Sequence, residues 1–136
     1  AGLADAREQL VSEMVCGTTV WHGGTVKSAP QSQVFQRVHL LPAFDEYLLA
    51  YRDRRLVLDE KHARRVNAGG GLLRPCVVID GRVVGTWKRA FARRTVDIEL
   101  DIFEPLSAME RRAVAAAAAH YGAFLEFEAG AINVHC

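Results

Sequence analysis

The chain has 136 residues, of which half are apolar and a quarter are charged, a composition typical of a soluble globular domain and not of a disordered, fibrous or disulfide-rich chain. The formal net charge is only +1. The three cysteines show no paired spacing, so we predict no disulfide framework and no metal site. We also predict no cofactor. There is no membrane-spanning apolar stretch and no signal-peptide pattern, which predicts a cytoplasmic protein without membrane contact.

The first part of the chain predicts one helix and two short strands. Apolar residues recur at helical spacing over residues 3–14, which predicts a helix. Residues 14–21 alternate loosely before a Gly-Gly pair and predict a short strand, and residues 35–41 predict another that ends at Pro42. Between them, residues 27–33 form a polar loop.

Two helices are predicted next. Over residues 43–51, the side chains Phe44, Tyr47, Leu48 and Tyr51 share one helical face. Acidic residues lie at the start of this helix and arginines at its end, as the helix dipole favours. Asp59 can cap a second, short helix that ends at residue 66, and the three glycines 69–71 then predict a turn.

A β-hairpin is predicted at the centre of the chain. Apolar arms flank Asp80 and Gly81, and Asp-Gly between such arms favours a type I′ turn, which needs positive φ at both positions. The first arm, residues 76–79, is continuously apolar and indicates a strand buried on both faces.

The remaining elements follow the hairpin. Residues 95–103 alternate apolar and acidic side chains and predict a half-buried strand. Ser107 and Glu110 match a capping box that starts a helix extending to about residue 125, with Met109, Val114, Tyr121 and Leu125 as core anchors. The tail, residues 127–136, shows no period that predicts an element.

We therefore predict an α+β fold with mixed or antiparallel strands around the Asp-Gly hairpin, covered by two or three helices. The hairpin-centred domain spans residues 42–126, after a first unit of residues 1–41 and before the tail. The pattern leaves two alternatives open. The strands could close into a small barrel, or they could form part of a winged helix.

Charge is distributed unevenly along the chain. Residues 52–94 contain twelve Lys or Arg and four Asp or Glu, whereas residues 97–110 contain five acids and no base. Guanidinium and ammonium groups at loop and hairpin ends contact phosphates with little sequence readout. The predicted DNA-binding residues are Arg64, Arg65, Arg74, Arg82, Lys88 and Arg89. Arg93 and Arg94 belong to the same cationic cluster.

An alternative explanation is that the same cations form ion pairs within the chain. Several of them would pair with the acidic face of the neighbouring strand, where Asp97, Glu99 and Asp101 alternate with apolar residues. Trp87, which lies among the cations in sequence, is assigned to the core and not to a stacking platform.

No catalytic constellation is visible in the sequence. Asp45 and Glu46 are adjacent, so on a helix they point about 100° apart and cannot form a facing carboxylate pair. The five histidines lack ligand spacing, and the glycines 69–71 lack the Lys-Ser/Thr of a phosphate loop. Gln31 and Gln33 are two amides in a polar loop, which alone make no catalyst.

Four ordered motifs resemble one family. They are HLLPAFDEYLLAYRDR at 39–54, HARRVNAGGG at 62–71, Arg74-Pro75 with VIDGRVVGTWKR at 78–89, and Pro-Leu-Ser at 105–107, preceded by GLADAR at 2–7. They resemble the winged-helix DNA-binding family that contains the AlkZ and YcaQ type DNA glycosylases, which unhook alkylated bases and interstrand crosslinks.

The resemblance implies a function in DNA repair. It also implies that this chain corresponds to only one part of a family member. Family members are more than twice as long, and their catalytic Gln-x-Gln or Gln-x-Asp motif lies in the N-terminal part. Gln31 and Gln33 occupy a different place, so the catalytic role is not carried over to them. The resemblance implies a bacterial-type C-terminal module that binds double-stranded DNA, with residues 1–41 as the end of a winged-helix-like unit. It implies no enzyme activity for this part alone. The alternative is a non-catalytic structural or protein-interaction domain of a truncated paralogue.

Overall fold

A computed structural model of the chain describes residues 10–15, 17–23 and 37–135. The chain divides into two compact units, Ala1–Val34 and Phe35–Cys136. The described strands are β1 Leu10–Val15, β2 Thr18–Gly23, β3 Val38–Leu41, β4 Asn67–Gly69, β5 Leu72–Leu73, β6 Cys76–Ile79, β7 Arg82–Phe91, β8 Thr95–Ile102 and β9 Glu128–His135. The described α-helices are α1 Glu46–Leu49, α2 Ala63–Val66 and α3 Ala108–Phe124, with a 3-10 helix at Glu60–His62. None of these helices has the length and apolar character that crossing a bilayer requires.

The described part of the first unit is an antiparallel hairpin. β1 pairs with β2 from Leu10 opposite Gly23 to Val15 opposite Thr18, and Gly17 turns the chain with a φ of 77°. The helix predicted over residues 3–14 is therefore wrong from Leu10 onwards, and residues 3–9 lie outside the described residues. Pairing with β2 decides the conformation here, because helical spacing of apolar residues is only a local preference.

The second unit is built on one open five-stranded sheet. Its order is β3-β6-β7-β8-β9, antiparallel throughout except that β8 and β9 are parallel and are connected by α3. A parallel pair needs such a long crossover connection, so α3 comes to lie against the sheet. The predicted α+β class with mixed strands is confirmed. The barrel alternative is wrong, because β3 and β9 lie at opposite edges of the sheet.

β6 and β7 meet across Asp80 and Gly81, whose φ values are 47° and 82°. Two neighbours fix this turn. The Asp80 carboxylate accepts a hydrogen bond from the Arg37 backbone N–H at 3.0 Å, and the Tyr47 hydroxyl donates to the Gly81 carbonyl at 2.6 Å. All four residues of β6 are buried, so this strand is covered on both faces.

The core has two parts, one on each face of the sheet. On one face α3 contributes Val114 and Ala118, both fully buried, against the alternating residues of β8. On the other face α1 and α2 cover β6 and the start of β7, with Leu48 and Val66 as their buried contacts. The strand predicted over residues 95–103 is confirmed, and its fully buried side chains are Val96, Ile98, Leu100 and Ile102, each at most 1% exposed.

The helix predicted over residues 43–51 is shorter than its pattern indicated. α1 contains only four residues, with Asp45 as its N-cap, and Phe44 lies outside it with a φ of 62°. Of the predicted apolar face, Leu48 is buried, whereas Phe44 is 50% exposed and Tyr51 is 66% exposed. In α3, Met109 is 62% exposed and is not a core anchor, although Val114 is.

Two further elements complete the comparison with the sequence. Asp59 caps the 3-10 helix that leads into α2, as predicted, by accepting a hydrogen bond from the Lys61 backbone N–H at 3.0 Å. The tail, for which no element was predicted, contains β9. Its Ile132 packs on the same core as α3, so contacts distant in sequence place this strand at the sheet edge.

The capping box of α3 is present in full. The Ser107 hydroxyl accepts from the Glu110 backbone N–H at 3.2 Å, and the Glu110 carboxylate accepts from the Ser107 backbone N–H at 2.7 Å. These hydrogen bonds with Ser107 hold the pKa of Glu110 below its ordinary value of 4.5. Because the folded-state pKa is depressed, the stabilisation is complete above the unfolded pKa and is lost as pH falls through the folded pKa.

We therefore expect two effects on urea unfolding. Ser107→Ala should lower the free energy of unfolding by about 1 kcal/mol at pH 7, as loss of an N-cap does. Glu110→Ala should destabilise the chain at pH 7 and progressively less below pH 4.5, because the unfolded carboxyl binds a proton from that pH downwards and the folded one only at lower pH. Glu46→Ala serves as the control. A Glu110→Ala difference that stays constant down to pH 3 would contradict this role of the carboxylate.

Candidate nucleic-acid interface

The six predicted phosphate-binding residues lie in two elements of the second unit, α2 and β7, and in the connection between β5 and β6. Arg64 and Arg65 are in α2, Arg74 follows β5, and Arg82 opens β7. Lys88 and Arg89 are consecutive in β7, and successive side chains of a strand point to opposite faces of its sheet. The structure therefore does not bring all six cations to one surface.

Arg65 is held at the edge of the acidic strand. Its Nη2 lies 2.7 Å from the Asp101 carboxylate and 3.4 Å from the Ile102 carbonyl, and its guanidinium lies 4.4 Å from the centre of the Phe103 ring. Arg65 takes this position because Val66, the next residue of α2, is completely buried and orients the helix on the sheet.

Lys88 is also paired with the acidic strand. Lys88 and Glu99 are direct cross-strand partners in β7 and β8, and their charged atoms are 2.8 Å apart. Together with Arg74, Asp101 and neighbouring residues they line an open groove of about 330 Å³. This part of the sheet face alternates positive and negative side chains and is not a purely cationic surface.

The internal-pairing alternative therefore accounts for two of the six residues, Arg65 and Lys88. Asp97 makes no ion pair with any residue that the structure describes, and its carboxylate accepts a hydrogen bond from the Ala131 backbone N–H at 2.8 Å. Both ion pairs are solvent-exposed, since the Asp101 and Glu99 side chains retain 55% and 44% of their accessible surface. Exposed pairs of this kind contribute little to stability, about 0–1 kcal/mol, and can exchange partners readily.

Three predicted residues keep free guanidinium groups. Within residues 37–135, Arg64, Arg74 and Arg82 are exposed and have no carboxylate within 4.0 Å. Arg82 lies beside a cleft of about 400 Å³ under the hairpin, which Lys61, His62 and Phe103 also line. Lys61 pairs there with Glu104, and this contact is the first cause of the lowered pKa of that carboxyl.

Arg89 lies on the other face of the sheet. Its guanidinium is 5.2 Å from the centre of the Phe91 ring and 5.6 Å from that of Tyr121 in α3. Trp87, two residues before it, is 7% exposed and donates its indole N–H to the Leu41 carbonyl at 2.8 Å, so its assignment to the core is confirmed. The ring contacts of Arg89 were not predicted from the sequence, although residues 87, 89 and 91 alternate along one strand face.

The carboxylates weighed as catalysts have structural roles, and the Cys76 thiol is buried in the core. Asp45 caps α1 through a 2.9 Å hydrogen bond from the Tyr47 backbone N–H, and Glu46 lies in the first turn of that helix. Gln31 and Gln33 lie outside the described residues. Burial raises the pKa of the Cys76 thiol to about 12, and its Sγ contacts the Arg74 carbonyl at 3.2 Å. Within the described ranges, no three His, Cys, Asp or Glu side chains are grouped as a metal site.

Comparison with known proteins relates the chain to DNA glycosylases. A family model described as "DNA glycosylase AlkZ-like" matches residues 1–124. The chain is similar to an "Interstrand DNA cross-link repair glycosylase" of Streptomyces sahachiroi, with 39% identity over 87 residues, 61% of this chain and 22% of the relative. It is also similar to the solved structure of Streptomyces sahachiroi DNA glycosylase AlkZ, with a TM-score of 0.73 and 25% identity over 97% of this chain. The chain spans only 35% of that structure.

The state of Cys76 can be tested by alkylation. In a Cys16→Ser/Cys136→Ser background, we expect iodoacetamide at pH 8 to modify the native thiol at least about a hundredfold more slowly than the thiol of the urea-unfolded chain. The reason is that a pKa of about 12 leaves almost no thiolate at this pH. Labelling at equal rates in the two states, followed by mass spectrometry, would contradict the buried, unreactive thiol.

Proposed function

The chain belongs to the AlkZ-like DNA glycosylase family, and from this membership we propose that it is a DNA-binding module of a glycosylase that repairs alkylated or crosslinked DNA. The family match over residues 1–124 supports this assignment. In the proposal, the excision chemistry belongs to another part of the glycosylase, because the resemblance places the family's catalytic motif in the N-terminal part of its members. The module acts by contacting double-stranded DNA through its phosphate backbone.

One observation carries the proposal of phosphate contacts. Arg64, Arg74 and Arg82 present exposed guanidinium groups without a carboxylate partner among residues 37–135. Guanidinium groups bind phosphates bidentately and remain charged at every physiological pH. Arg65 and Lys88 can join them by exchanging an exposed carboxylate for a phosphate, an exchange that costs little in water.

We extend the proposal to residues 1–41, which are proposed as the end of a winged-helix-like unit. The β1–β2 hairpin of the first compact unit has the antiparallel form of a wing, whereas Val38–Leu41, at the end of this range, forms β3 of the second unit's sheet. Binding to DNA also supports the expected cytoplasmic location. Contacts made by such units fix position and orientation on the duplex and carry little sequence information. We therefore propose binding with little sequence preference.

A second function is favoured by the ion pairs on the sheet face. The pairs Arg65–Asp101 and Lys88–Glu99 make this face self-complementary, with alternating charges that suit another protein surface better than a polyanion. In that case the chain is a non-catalytic structural or protein-interaction domain. The two functions differ in their response to salt and to removal of the carboxylates.

The proposal predicts salt-dependent binding to labelled duplex DNA in fluorescence anisotropy. We expect the Kd to rise steeply with salt, with a slope of about 0.9 per neutralised phosphate on a double-logarithmic plot. Arg64→Ala/Arg65→Ala, Arg74→Ala/Arg82→Ala and Lys88→Ala/Arg89→Ala should each weaken binding. Each should also reduce the slope by about 1 for every phosphate that the variant no longer neutralises.

The matched control is Arg111→Ala/Arg112→Ala, which removes the same charge from exposed positions of α3 outside the proposed interface. We expect a smaller loss of affinity from it than from the interface variants. Equal losses from all four double variants would indicate a net-charge effect and no interface. Binding that does not respond to salt, or no binding at low salt, would contradict the proposed phosphate contacts.

Removing the acidic partners gives a prediction of opposite sign. Glu99→Gln/Asp101→Asn should strengthen duplex binding, because it frees Lys88 and Arg65 from their ion pairs and removes two negative charges from the same face. Thermal unfolding should change little, since both pairs are exposed. Unchanged or weaker DNA binding by a folded variant would favour the protein-interaction function.

A further inference from the structure

A series of ring contacts extends along one face of β7. Trp87 meets Tyr121 of α3 edge to face with ring centres 5.0 Å apart. The Arg89 guanidinium lies 5.6 Å from the Tyr121 ring centre and 5.2 Å from that of Phe91. Phe91 in turn meets Phe127 at 5.3 Å. We call these five residues the aromatic–arginine ladder; it joins β7 to the helix and to the segment that follows it.

The ladder is buried at one end and exposed at the other. Trp87 is 7% exposed and is fixed by its hydrogen bond to the Leu41 carbonyl, whereas Phe91 is 54% exposed. Contacts from Arg89 and Phe127 hold the Phe91 ring in place while much of its surface faces solvent. A ring restrained in this way loses little conformational freedom when a flat ligand stacks on it.

The exposed end of the ladder carries an excess of positive charge. Arg93 and Arg94 follow Phe91 in the turn between β7 and β8, and both are exposed, without a carboxylate within 4.0 Å in the second unit's described part. Two backbone hydrogen bonds fix this turn, from the Ala92 N–H to the Thr95 carbonyl and from the Glu128 N–H to the Arg94 carbonyl, both at 2.9 Å. Arg89, Arg93 and Arg94 lie at this end, against Glu126 and Glu128, which flank Phe127 in sequence, whereas Lys88 lies on the other face and pairs with Glu99.

An exposed aromatic ring bordered by guanidinium groups matches the chemistry of an unpaired nucleotide. Every base has a π-face that stacks on an aromatic side chain, and the phosphates on either side of it attract arginines. We propose that Phe91, supported by Arg89 and Phe127, stacks an unpaired nucleobase of DNA while Arg93 and Arg94 bind the adjacent phosphates. This inference rests on the DNA-binding function proposed above and adds a preference for DNA in which a base has left the helix.

The test compares two labelled duplexes of the same sequence, one fully paired and one with a single-adenine bulge, by fluorescence anisotropy. We expect the wild-type chain to bind the bulged duplex about tenfold more tightly, in the range that one stacked base provides. Phe91→Leu keeps an apolar side chain against Phe127 but has no π-face, so it should abolish the preference and leave binding to the paired duplex unchanged. An abasic bulge should also show no preference.

Further variants separate stacking from folding and from charge. Phe124→Ala removes a ring that is more exposed than Phe91, 76% accessible, and is not in the ladder, and it should keep the preference. Arg93→Ala/Arg94→Ala should weaken binding to both duplexes. With 2-aminopurine as the bulged base, the wild-type chain should quench its fluorescence and Phe91→Leu should not.

The possible outcomes distinguish the two proposals. Equal affinity of the wild-type chain for the paired and bulged duplexes would overturn the stacking site and leave the DNA-binding function standing. A preference that survives Phe91→Leu would show that the bulge is recognised elsewhere and would also overturn it. Failure to bind either duplex would overturn both proposals together.

Discussion

Burial of the alternating face of β8 against α3 is the interaction on which the rest of the second unit depends. β8 lies between β7 and β9 in the sheet, so its apolar residues form the centre of the core that these strands share with α3. Because side chains alternate along a strand, the same pattern places Glu99 and Asp101 on the opposite face. Packing of the core therefore determines where the negative charge of this region lies, and with it the pairing of Lys88 and Arg65.

The same alternation separates the cations of β7. Lys88 meets the acidic face, whereas Arg89 lies among aromatic rings on the side of α3. Two adjacent residues of one sequence motif thus have different environments. A net charge counted along the chain therefore does not give the charge of either face of the sheet. In the proposed function, affinity for DNA comes from guanidinium groups distributed over several edges of the unit. Such a distribution suits backbone contacts along a duplex better than insertion into one groove.

Several elements could be predicted from the sequence because their causes are local. The alternation in β8, the capping box at Ser107 and the cap at Asp59 are each specified within a few residues. β9 could not be predicted, since it forms only by pairing with a strand more than thirty residues earlier. β1 has the spacing of a helix, and only its pairing with β2 makes it a strand. Phe44 and Tyr51 fit a helical face in sequence, but the short α1 leaves both exposed.

The candidate interface shows the same limit. Which residues are cationic is plain from the sequence, but whether each is free depends on partners from other elements. Arg65 and its carboxylate partner are 36 residues apart in sequence, so no local pattern indicates their pairing. The family resemblance rests on motifs and was confirmed by the match over residues 1–124.

The most direct measurement is a titration of the ¹⁵N-labelled chain with an unlabelled DNA duplex, followed by amide chemical shifts. If the chain is a DNA-binding module, the shifts should move at and beside Arg64, Arg74 and Arg82, in the turn at residues 92–94, and less so in the buried residues of β8. The changes should disappear on addition of salt. Shifts that stay unchanged at low salt, or that change only at residues far from every one of these arginines, would contradict the account.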